Sequence, residues 1–387
     1  MAHEFRFDSM PFTPELEAFR MEVREFLHRE IAAGTFTPGD TDKEAGYNPE
    51  FSRKVGERGW LGMTWPKAYG GHGRSHLERY VMTEEMLAMR APVRFHWVAD
   101  RQSGPVLLKY GQEEVRKEIV PKIAAGELCF CIGLSEPNSG SDLFAASTRA
   151  TKTDGGWLVN GRKIWTSNAH RSHYMIALVR TSPSTQENRR HGLTQFLIKM
   201  DENGPQPRPI INLTGAHEFN EVVFDDVFVP DSHVIGRVDE AWKQATDELA
   251  YERSGPDRWT ETIFSLIELT RVAEARADDR ISAGLGREVA HLKTLRRMSA
   301  SIAGMLQDGQ SPVAEAAVVK DLGTNWEQAL PNTVRLLAPK AAQAMAGNRA
   351  RFEDVQRLNT LIAPKLTIQG GTREVLRGII ARGLGLR

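Results

Sequence analysis

The hydrophobic period of the chain changes twice, and this double change limits the possible folds more than any other feature of the sequence. Apolar residues recur at helical spacing in the first third, as at Leu16, Phe19 and Val23. The spacing becomes strand-like at about Glu127 and returns to helical at about Glu240. The sequence therefore predicts an α+β fold. Its domains are expected at residues 1–126 (all-helical), 127–236 (β) and 237–387 (helical).

Turn and cap residues predict where individual helices and strands begin and end. Thr13 and Pro14 are expected to be the N-cap and the first residue of the opening helix. The dipeptide Asn160-Gly161, between two short apolar runs, predicts a two-residue hairpin turn. The remaining segments follow from the same rules: helices at 48–58, 76–89, 104–110 and 113–125, and strands at 174–180, 192–200 and 221–229.

Composition argues against several classes of function. Fifty Lys and Arg balance fifty Asp and Glu, so nucleic acid is not an expected partner. No uncharged apolar run approaches the roughly 18 residues of a membrane span, and the charged N-terminus is unlike a signal peptide. We therefore expect a cytoplasmic protein with no membrane span. Cys129 and Cys131 are the only cysteines, and their C-x-C spacing favours two buried thiols over redox chemistry.

The common catalytic motifs do not occur. The chain has no P-loop motif and no G-x-G-x-x-G between a strand and a helix. The segment from Gly133 approaches the nucleophile elbow G-x-S-x-G, but Pro137 replaces the second glycine. His72 and His76 lack the H-E-x-x-H pattern of a zinc site, so we expect no metal.

Five segments, in order along nearly the whole chain, resemble the motifs of the acyl-CoA dehydrogenase family. They are S-E-P-N-S-G-S-D from Ser135, K-I-W-T-S-N-A from Lys163, V-V-F-D-D-V-F-V-P from Val222, E-R at Glu252, and G-G-T from Gly370. The first segment alone is equally typical of a polar turn that ends a strand. Five co-linear matches make the resemblance specific.

The resemblance implies a fold and a reaction. The expected acyl-CoA dehydrogenase-like fold has an N-terminal helical domain, a central β-barrel-like domain and a C-terminal four-helix bundle. The expected cofactor is non-covalent FAD, and the expected reaction removes an α-proton and a β-hydride from an acyl-CoA thioester to give a trans-2-enoyl-CoA. The implied partners are the acyl-CoA substrate, an electron-transfer flavoprotein or similar acceptor, and further subunits of a homo- or heterotetramer.

The same resemblance implies roles for individual residues. The expected cofactor contacts are Ile132, Leu134 and Ser135 at the flavin ring and its pyrimidine edge, Trp165 over one flavin face, Ser167 near the hydride-accepting nitrogen, and Gly371 and Thr372 near phosphate or ribityl oxygens. Ser141 is expected to contact the pantetheine arm at the edge of the cofactor site, and Arg253 to face the substrate. Thr372 is also expected to cap the last helix. A Gly-Gly loop followed by a simple N-cap explains the terminal motif equally well.

Glu252 is the expected catalytic base. Most family members carry the base just before the terminal Gly-Thr, where this chain has Gly370, whereas others carry it on the first helix of the C-terminal domain, where this chain has Glu252. At 100° per residue, Glu252 borders an apolar stripe that includes Trp242 and Leu249. An internal ion pair with Arg253 is the alternative role. The Gly370 N–H is expected to donate to the thioester carbonyl.

Two departures from the family pattern leave the function partly open. Leu285-Gly286 stands where R-x-x-F-G is usual, and residues 340–363 replace the usual G-G-x-G-Y segment, so no motif assigns the adenine end of FAD. In both departures the chain resembles family members that assemble as two-gene heterotetramers, including bacterial enzymes acting on steroid side-chain CoA esters. Three functions remain: a dehydrogenase for a branched, cyclic or steroid-derived acyl-CoA, a non-catalytic or half-active partner subunit, and a same-fold flavin oxidase.

Overall fold

The chain folds into two compact units. The computed structural model describes residues 5–42, 46–185, 188–241, 244, 253, 255–275, 278–338 and 349–386. Unit 1 comprises Met1–Ala45, Ser75–Ala91 and Arg253–Arg387, and unit 2 comprises Gly46–Arg74 and Pro92–Glu252.

The described part of the chain is helical at both ends and contains a sheet in the middle. The α-helices are α1 (Pro14–Ala32), α2 (Pro49–Glu57), α3 (His76–Ala88), α4 (Arg94–Val98), α5 (Gly104–Tyr110), α6 (Glu113–Ala124), α7 (Ile263–Ala275), α8 (Asp279–Gln307), α9 (Val313–Leu337), α10 (Arg349–Ile362) and α11 (Arg373–Gly383). The strands are β1 (Phe130–Gly133), β2 (Arg149–Thr153), β3 (Gly156–Ser167), β4 (Tyr174–Arg180), β5 (Leu193–Lys199), β6 (Gln206–Ile211), β7 (His217–Pro230) and β8 (Val234–Ile235). This order confirms the predicted fold class.

Side-chain caps fix the start of several helices. The Thr13 hydroxyl accepts a hydrogen bond from the Leu16 N–H at 3.4 Å, and Pro14 opens α1. The Thr372 hydroxyl accepts from the Val375 N–H at 3.4 Å and opens α11 in the same way. Each cap satisfies a backbone donor that has no partner within its helix. Both capping predictions are confirmed.

The sheet of unit 2 is open. Seven strands follow the order β6-β7-β3-β2-β4-β5-β8, and β1 pairs with β4 in parallel. Because this path has two ends among the described strands, the sheet is not closed into the barrel that the sequence suggested. In β4, the run from Met175 to Val179 is buried on both faces, as is typical of a strand in the interior of a sheet.

The predicted hairpin at Asn160-Gly161 is wrong. Residues 156–167 form one continuous strand, β3, and the two-residue turn lies at Asp154-Gly155, where Gly155 has φ 69°. The Asn160 side chain instead bonds to Asp226 of β7: its Nδ2 donates to Oδ1 at 2.8 Å, and its Oδ1 accepts from the Asp226 N–H at 2.9 Å. Gly161 lies at a bulge opposite β7, so pairing with the 14-residue β7 keeps β3 extended through both residues.

The core of unit 2 lies on both sides of the sheet. On one side, helices α5 and α6 pack through residues such as Leu107 and Ile123 against Ile176 of β4. On the other side, Met175 and Phe196 belong to a cluster contributed by the strands. Cys129 and Cys131 are buried and free, and burial raises the pKa of the Cys129 thiol to about 11, which confirms the prediction of buried thiols.

A buried ion-pair network joins three helices of unit 1. Arg20 of α1 donates from Nη1 to Glu84 and Glu85 of α3, at 2.6 Å each. Arg296 of α8 reaches Glu84 from Nε at 2.7 Å. Because each of these carboxylates binds a guanidinium, their burial is compensated. Within the described residues, we find no helix with the length and apolar character that a membrane span requires.

Candidate functional site

The end of β1 and the loop that follows it, residues 132–139 (together the β1 loop), are bonded directly to β3. The side chain of Lys163 is fully buried, and its Nζ donates to the Leu134 carbonyl oxygen at 3.1 Å and to Glu136 Oε1 at 2.7 Å. The Ile164 N–H donates to the Ser135 carbonyl oxygen at 2.9 Å. Two neighbouring residues of β3 therefore hold three successive residues of the loop.

The Glu136 carboxylate accepts hydrogen bonds from several residues around this loop. Its carboxylate also accepts from the Ser147 N–H and hydroxyl, at 2.7 Å each, and from the Thr148 N–H at 3.0 Å. Burial opposes ionisation, but the Lys163 ammonium and the Ser147 donors outweigh it and lower the pKa of Glu136 to about 2. Burial lowers the pKa of Lys163, and Glu136 opposes that shift. The ionised pair holds the loop in one conformation.

Trp165 occupies a strained position beside this loop. The register between β3 and β7 shifts between Lys163 and Thr166, which leaves Trp165 in a bulge with φ 60°. A left-handed conformation costs a non-glycine residue about 1–2 kcal/mol, and such strain concentrates at functional sites. The indole is 58% exposed, and its ring centroid lies 6.0 Å from that of Phe219 in an edge contact. A flat apolar ring is therefore available to a ligand.

The two segments that meet at Ile164 and Ser135 also carry hydroxyl groups for which the described residues offer no partner. Neither the Ser135 hydroxyl nor the Ser167 hydroxyl bonds another residue of the described chain, and Thr166 Oγ1 is buried with no described partner. Ile132 and Leu134 pack their side chains against hydrophobic clusters, so their backbone groups are what they can offer a ligand. Segments that carry an exposed aromatic face and hydroxyls without a described partner fit an isoalloxazine, which has a flat ring and polar edges.

Ser141 is exposed a few residues farther along. Its neighbour Asp142 pairs with Arg189 at 2.9 Å, and the Asp142 carbonyl accepts from the Ser139 hydroxyl at 2.7 Å. The structure thus places Ser141 on the same chain segment as the β1 loop. Its predicted contact with the pantetheine arm stays a prediction.

The terminal motif forms a second loop, residues 368–372 (the glycine loop). Gly370 has φ 72° and Gly371 has φ 106°, a region that favours glycine. The Gly371 N–H donates to the Ile368 carbonyl at 3.2 Å, whereas the Gly370 N–H has no acceptor in the described part of the chain. Gly370 therefore retains a backbone donor, and its predicted contact with the thioester carbonyl stays a prediction.

Two buried cations bind the carbonyls of the glycine loop. Arg253, 6% exposed, donates from Nε to the Gly370 carbonyl oxygen at 3.1 Å. Lys320 of α9, fully buried, donates from Nζ to the Gly371 carbonyl oxygen at 2.9 Å. Glu252, the predicted base, lies outside the described residues. Arg253 therefore contacts Gly370. The role of Glu252 as the base stays a prediction.

Sequence reasoning missed Lys163, Glu136 and Lys320. For the two lysines, the spacing of buried residues along the strand or helix carried a signal. Lys163 continues the alternation of the buried residues Trp157 and Val159 along β3. Lys320 lies in the buried stripe of α9. A charged residue in phase with an apolar face indicates a buried cation with a specific partner.

Comparison with known proteins identifies the family. The family model for the acyl-CoA dehydrogenase N-terminal domain matches residues 13–127, and the model for the middle domain matches residues 131–227. The acyl-CoA dehydrogenase IpdE1 of Mycobacterium tuberculosis is 31% identical over 384 residues, covering 96% of this chain and 98% of IpdE1. The chain belongs to the acyl-CoA dehydrogenase family. It is an FAD-dependent oxidoreductase, as members of this family are.

Other relatives of this acyl-CoA dehydrogenase differ in length and assembly. FadE34 of M. tuberculosis is 35% identical over 342 residues, and the chain spans 46% of its length. The solved Tcur3481-Tcur3483 steroid ACAD has a TM-score of 0.86 at 27% identity, covering 97% of this chain and 99% of the matched chain. The ChsE4-ChsE5 complex from M. tuberculosis has a TM-score of 0.82 at 27% identity, covering 98% and 99%.

Proposed function

We propose that this chain catalyses the α,β-dehydrogenation of an acyl-CoA thioester to a trans-2-enoyl-CoA, with Glu252 as the base. The observation that supports this most strongly is the arrangement in unit 2. The strained, exposed Trp165 and the hydroxyls of Ser135 and Ser167, which have no partner among the described residues, lie on segments that the Ile164–Ser135 backbone bond joins. Strain and unpaired donors lower stability, so their presence together points to a ligand that compensates for both.

Different residues of this chain would bind different parts of FAD. Ser135, through its hydroxyl and N–H, would hold the pyrimidine edge of FAD, and Trp165 would cover one face of the ring. Ser167 would bond near the hydride-accepting nitrogen, while Gly371 and Thr372 would face phosphate or ribityl oxygens. When bound, FAD supplies the acceptor for the β-hydride.

Glu252 and Gly370 would act on the thioester. Because an α-proton beside a thioester is weakly acidic, it needs a positioned base and stabilisation of the developing enolate oxygen. Glu252 would take the proton, and the Gly370 N–H would donate to the carbonyl. At position 370 glycine offers a backbone N–H and no carboxylate.

The substrate that we propose is a CoA ester of a branched, cyclic or steroid-derived acid. This proposal draws on the likeness to a structure described as a steroid ACAD and to the IpdE1 and FadE34 dehydrogenases. It also draws on the placement of a base at Glu252 rather than at Gly370, a pattern shared with members that accept bulky acyl chains.

We also propose a partner subunit of the same family and an electron-transfer flavoprotein or similar acceptor. Two solved relatives carry two-part names, the Tcur3481-Tcur3483 steroid ACAD and the ChsE4-ChsE5 complex. A heterotetramer would supply contacts to the adenine end of FAD, for which this chain has no usual motif. If the protein purified alone were colourless and became yellow only with a co-expressed partner, this chain would be the half-active subunit.

The test of the base is a Glu252→Gln variant, with Glu252→Asp as the matched control. Anaerobic flavin reduction by the acyl-CoA that bleaches the wild type should slow about 10²–10⁴-fold in the Gln variant and less in the Asp variant. An unchanged visible spectrum verifies that FAD is retained. Normal bleaching by Glu252→Gln overturns the base assignment. Stoichiometric hydrogen peroxide formation in air at the turnover rate would instead identify an oxidase.

A further inference from the structure

Two cations converge on consecutive peptide groups of the glycine loop. Lys320 and Arg253 come from positions 67 residues apart in the sequence, and both are at least nine-tenths buried. Their donors reach the carbonyl oxygens of Gly371 and Gly370, respectively. Removing an ammonium and a guanidinium from water carries a large desolvation penalty, so the fold retains them only where their contacts compensate. Their contacts include two backbone carbonyls of this loop.

The conformation of the loop explains why such contacts are needed. Gly370 and Gly371 both have positive φ, a region in which glycine has many accessible alternatives. The backbone bond within the loop, from the Gly371 N–H to the Ile368 carbonyl, is 3.2 Å long. Without further anchors, the orientation of the adjacent Gly370 N–H would vary. The two cation–carbonyl bonds fix the peptide groups on either side of Gly371.

The bond from Lys320 to the Gly371 carbonyl also strengthens a backbone N–H of the glycine loop as a hydrogen-bond donor. The peptide whose oxygen binds Lys320 contains the Thr372 N–H, which bonds no other backbone group in the described regions. A cation on a peptide oxygen polarises that peptide and strengthens its N–H as a donor. Gly370 and Thr372 thus present two N–H groups on a loop whose carbonyls are held by positive charge. Such an arrangement favours an anion or a developing oxyanion.

We propose that Lys320 and Arg253 are positioning residues that clamp the glycine loop so that its Gly370 N–H meets the thioester carbonyl. This inference rests on the proposed function, because it assumes that Gly370 contacts the thioester. Neither cation needs to touch the substrate. Their effect is to hold the donor oriented before the enolate forms, which lowers the reorganisation required in the transition state.

The test uses the FAD-loaded protein and acetoacetyl-CoA, a thioester with an acidic α-position and a strong ultraviolet enolate absorbance. Wild-type enzyme should lower the enolisation pKa of the bound ligand relative to free acetoacetyl-CoA. Lys320→Met should raise that pKa by about one unit, a tenfold loss of enolate stabilisation. In turnover with an accepted acyl-CoA, kcat should fall about tenfold, with KM changed less than threefold. Lys320→Arg, which keeps the charge and the donors, should stay within about threefold of wild type.

Arg20→Met controls for a loss of stability alone. It removes a buried cation of unit 1 that bonds Glu84 and Glu85 rather than the glycine loop. It should destabilise the protein without changing the enolisation pKa. If Lys320→Met does not fold, Lys320→Gln, a neutral donor, replaces it and should give a pKa between those of wild type and free ligand.

The outcomes separate this inference from the proposed function. A folded, yellow Lys320→Met or Lys320→Gln variant with the wild-type enolisation pKa overturns the clamp. A shift of the same size in Arg20→Met also overturns it, because general destabilisation would then explain the effect. If wild-type protein neither shifts the enolisation pKa nor is bleached by any acyl-CoA, the proposed function fails and the clamp fails with it.

Discussion

Two loops of this dehydrogenase are each held by a fully buried lysine, but in different ways. Lys163 bonds the Leu134 carbonyl of the β1 loop and also pairs with Glu136, which belongs to the same loop. Lys320 bonds the Gly371 carbonyl of the glycine loop, whose other cation contact comes from Arg253. The β1 loop is thus fixed by a buried ion pair between Glu136 and Lys163 of β3, with several further donors to Glu136. The glycine loop depends on cations that bind backbone oxygens.

Because of this difference, we expect substitutions at the β1 loop to lower the stability of the protein and substitutions at the glycine loop to lower the reaction rate. The buried Lys163–Glu136 pair ties the β1 loop to the sheet. We therefore expect removal of either charge to unfold the loop and release the cofactor. Cations on the carbonyls of a left-handed glycine segment restrict a small movement, so we expect their loss to lower the rate while the flavin stays bound. Substitutions in the two loops should therefore differ both in the size of their effect and in whether stability or rate changes.

The largest effect is expected for Lys163→Met. It leaves the Glu136 carboxylate buried without its cation, which costs about 3–5 kcal/mol of unfolding free energy. Denaturant unfolding with and without added FAD measures this loss. Lys152→Met is the matched control, because Lys152 pairs with Asp231 at the exposed surface, and it should cost less than about 1 kcal/mol. A Lys163→Met variant as stable as the control would contradict the difference between the loops.

The second effect is acid sensitivity of the β1 loop. The pKa of Glu136 is about 2 in the folded protein, below its ordinary value of 4.5. Its contribution is therefore fully present above about pH 5 and is lost as the pH falls from 4.5 toward 2. We expect wild type to lose about 2 kcal/mol more than Glu136→Gln over that interval. Equal pH slopes of unfolding free energy would show that the carboxylate does not hold the loop.

The third effect concerns the backbone of the glycine loop. Gly371→Ala places a side chain at φ 106° and should cost about 1–2 kcal/mol. The added Cβ would meet Arg253 Nη2 at 3.6 Å, an ordinary contact, so the cost comes from the backbone. Gly140→Ala is the control: its Cβ would lie in open space, and we expect less than about 0.5 kcal/mol. Thermal unfolding compares the two variants, and equal costs would contradict the need for a left-handed residue.

The smallest effect has the opposite sign. Trp165→Asn replaces an indole at φ 60° with a residue that tolerates the left-handed region, so the apoprotein should gain about 1 kcal/mol. FAD affinity, measured by fluorescence titration, should fall because the exposed ring is lost. A destabilised apoprotein that binds FAD normally would show that Trp165 has only a structural role.

The sequence predicted the order of elements well and the loop geometry less well. Helix α1 and its Thr13 cap were predictable because amphipathic period and capping are local properties. The hairpin was misplaced because Asn160-Gly161 and Asp154-Gly155 both carry turn residues, and pairing with β7 decides between them. That choice depends on residues more than 50 positions away.

The candidate site was predictable as a set of residues but not as a conformation. Motifs indicated Ser135, Trp165 and Gly370, whereas the strain at Trp165 arises from a bulge that only the β3–β7 register reveals. Lys163 and Lys320 were missed because charged side chains are usually exposed, and only their phase along β3 and α9 marked them as buried. The contacts that hold each loop are long-range and therefore invisible to local patterns.

The most direct test of the account is an anaerobic titration of the purified yellow protein, alone or with its co-expressed partner, against acyl-CoA esters ranging from butyryl-CoA to a steroid side-chain CoA ester. We expect at least one branched or cyclic ester to bleach the flavin absorbance stoichiometrically and to be recovered as its trans-2-enoyl-CoA. A protein that holds FAD yet is bleached by none of these esters, while dithionite reduces it fully, would contradict the account.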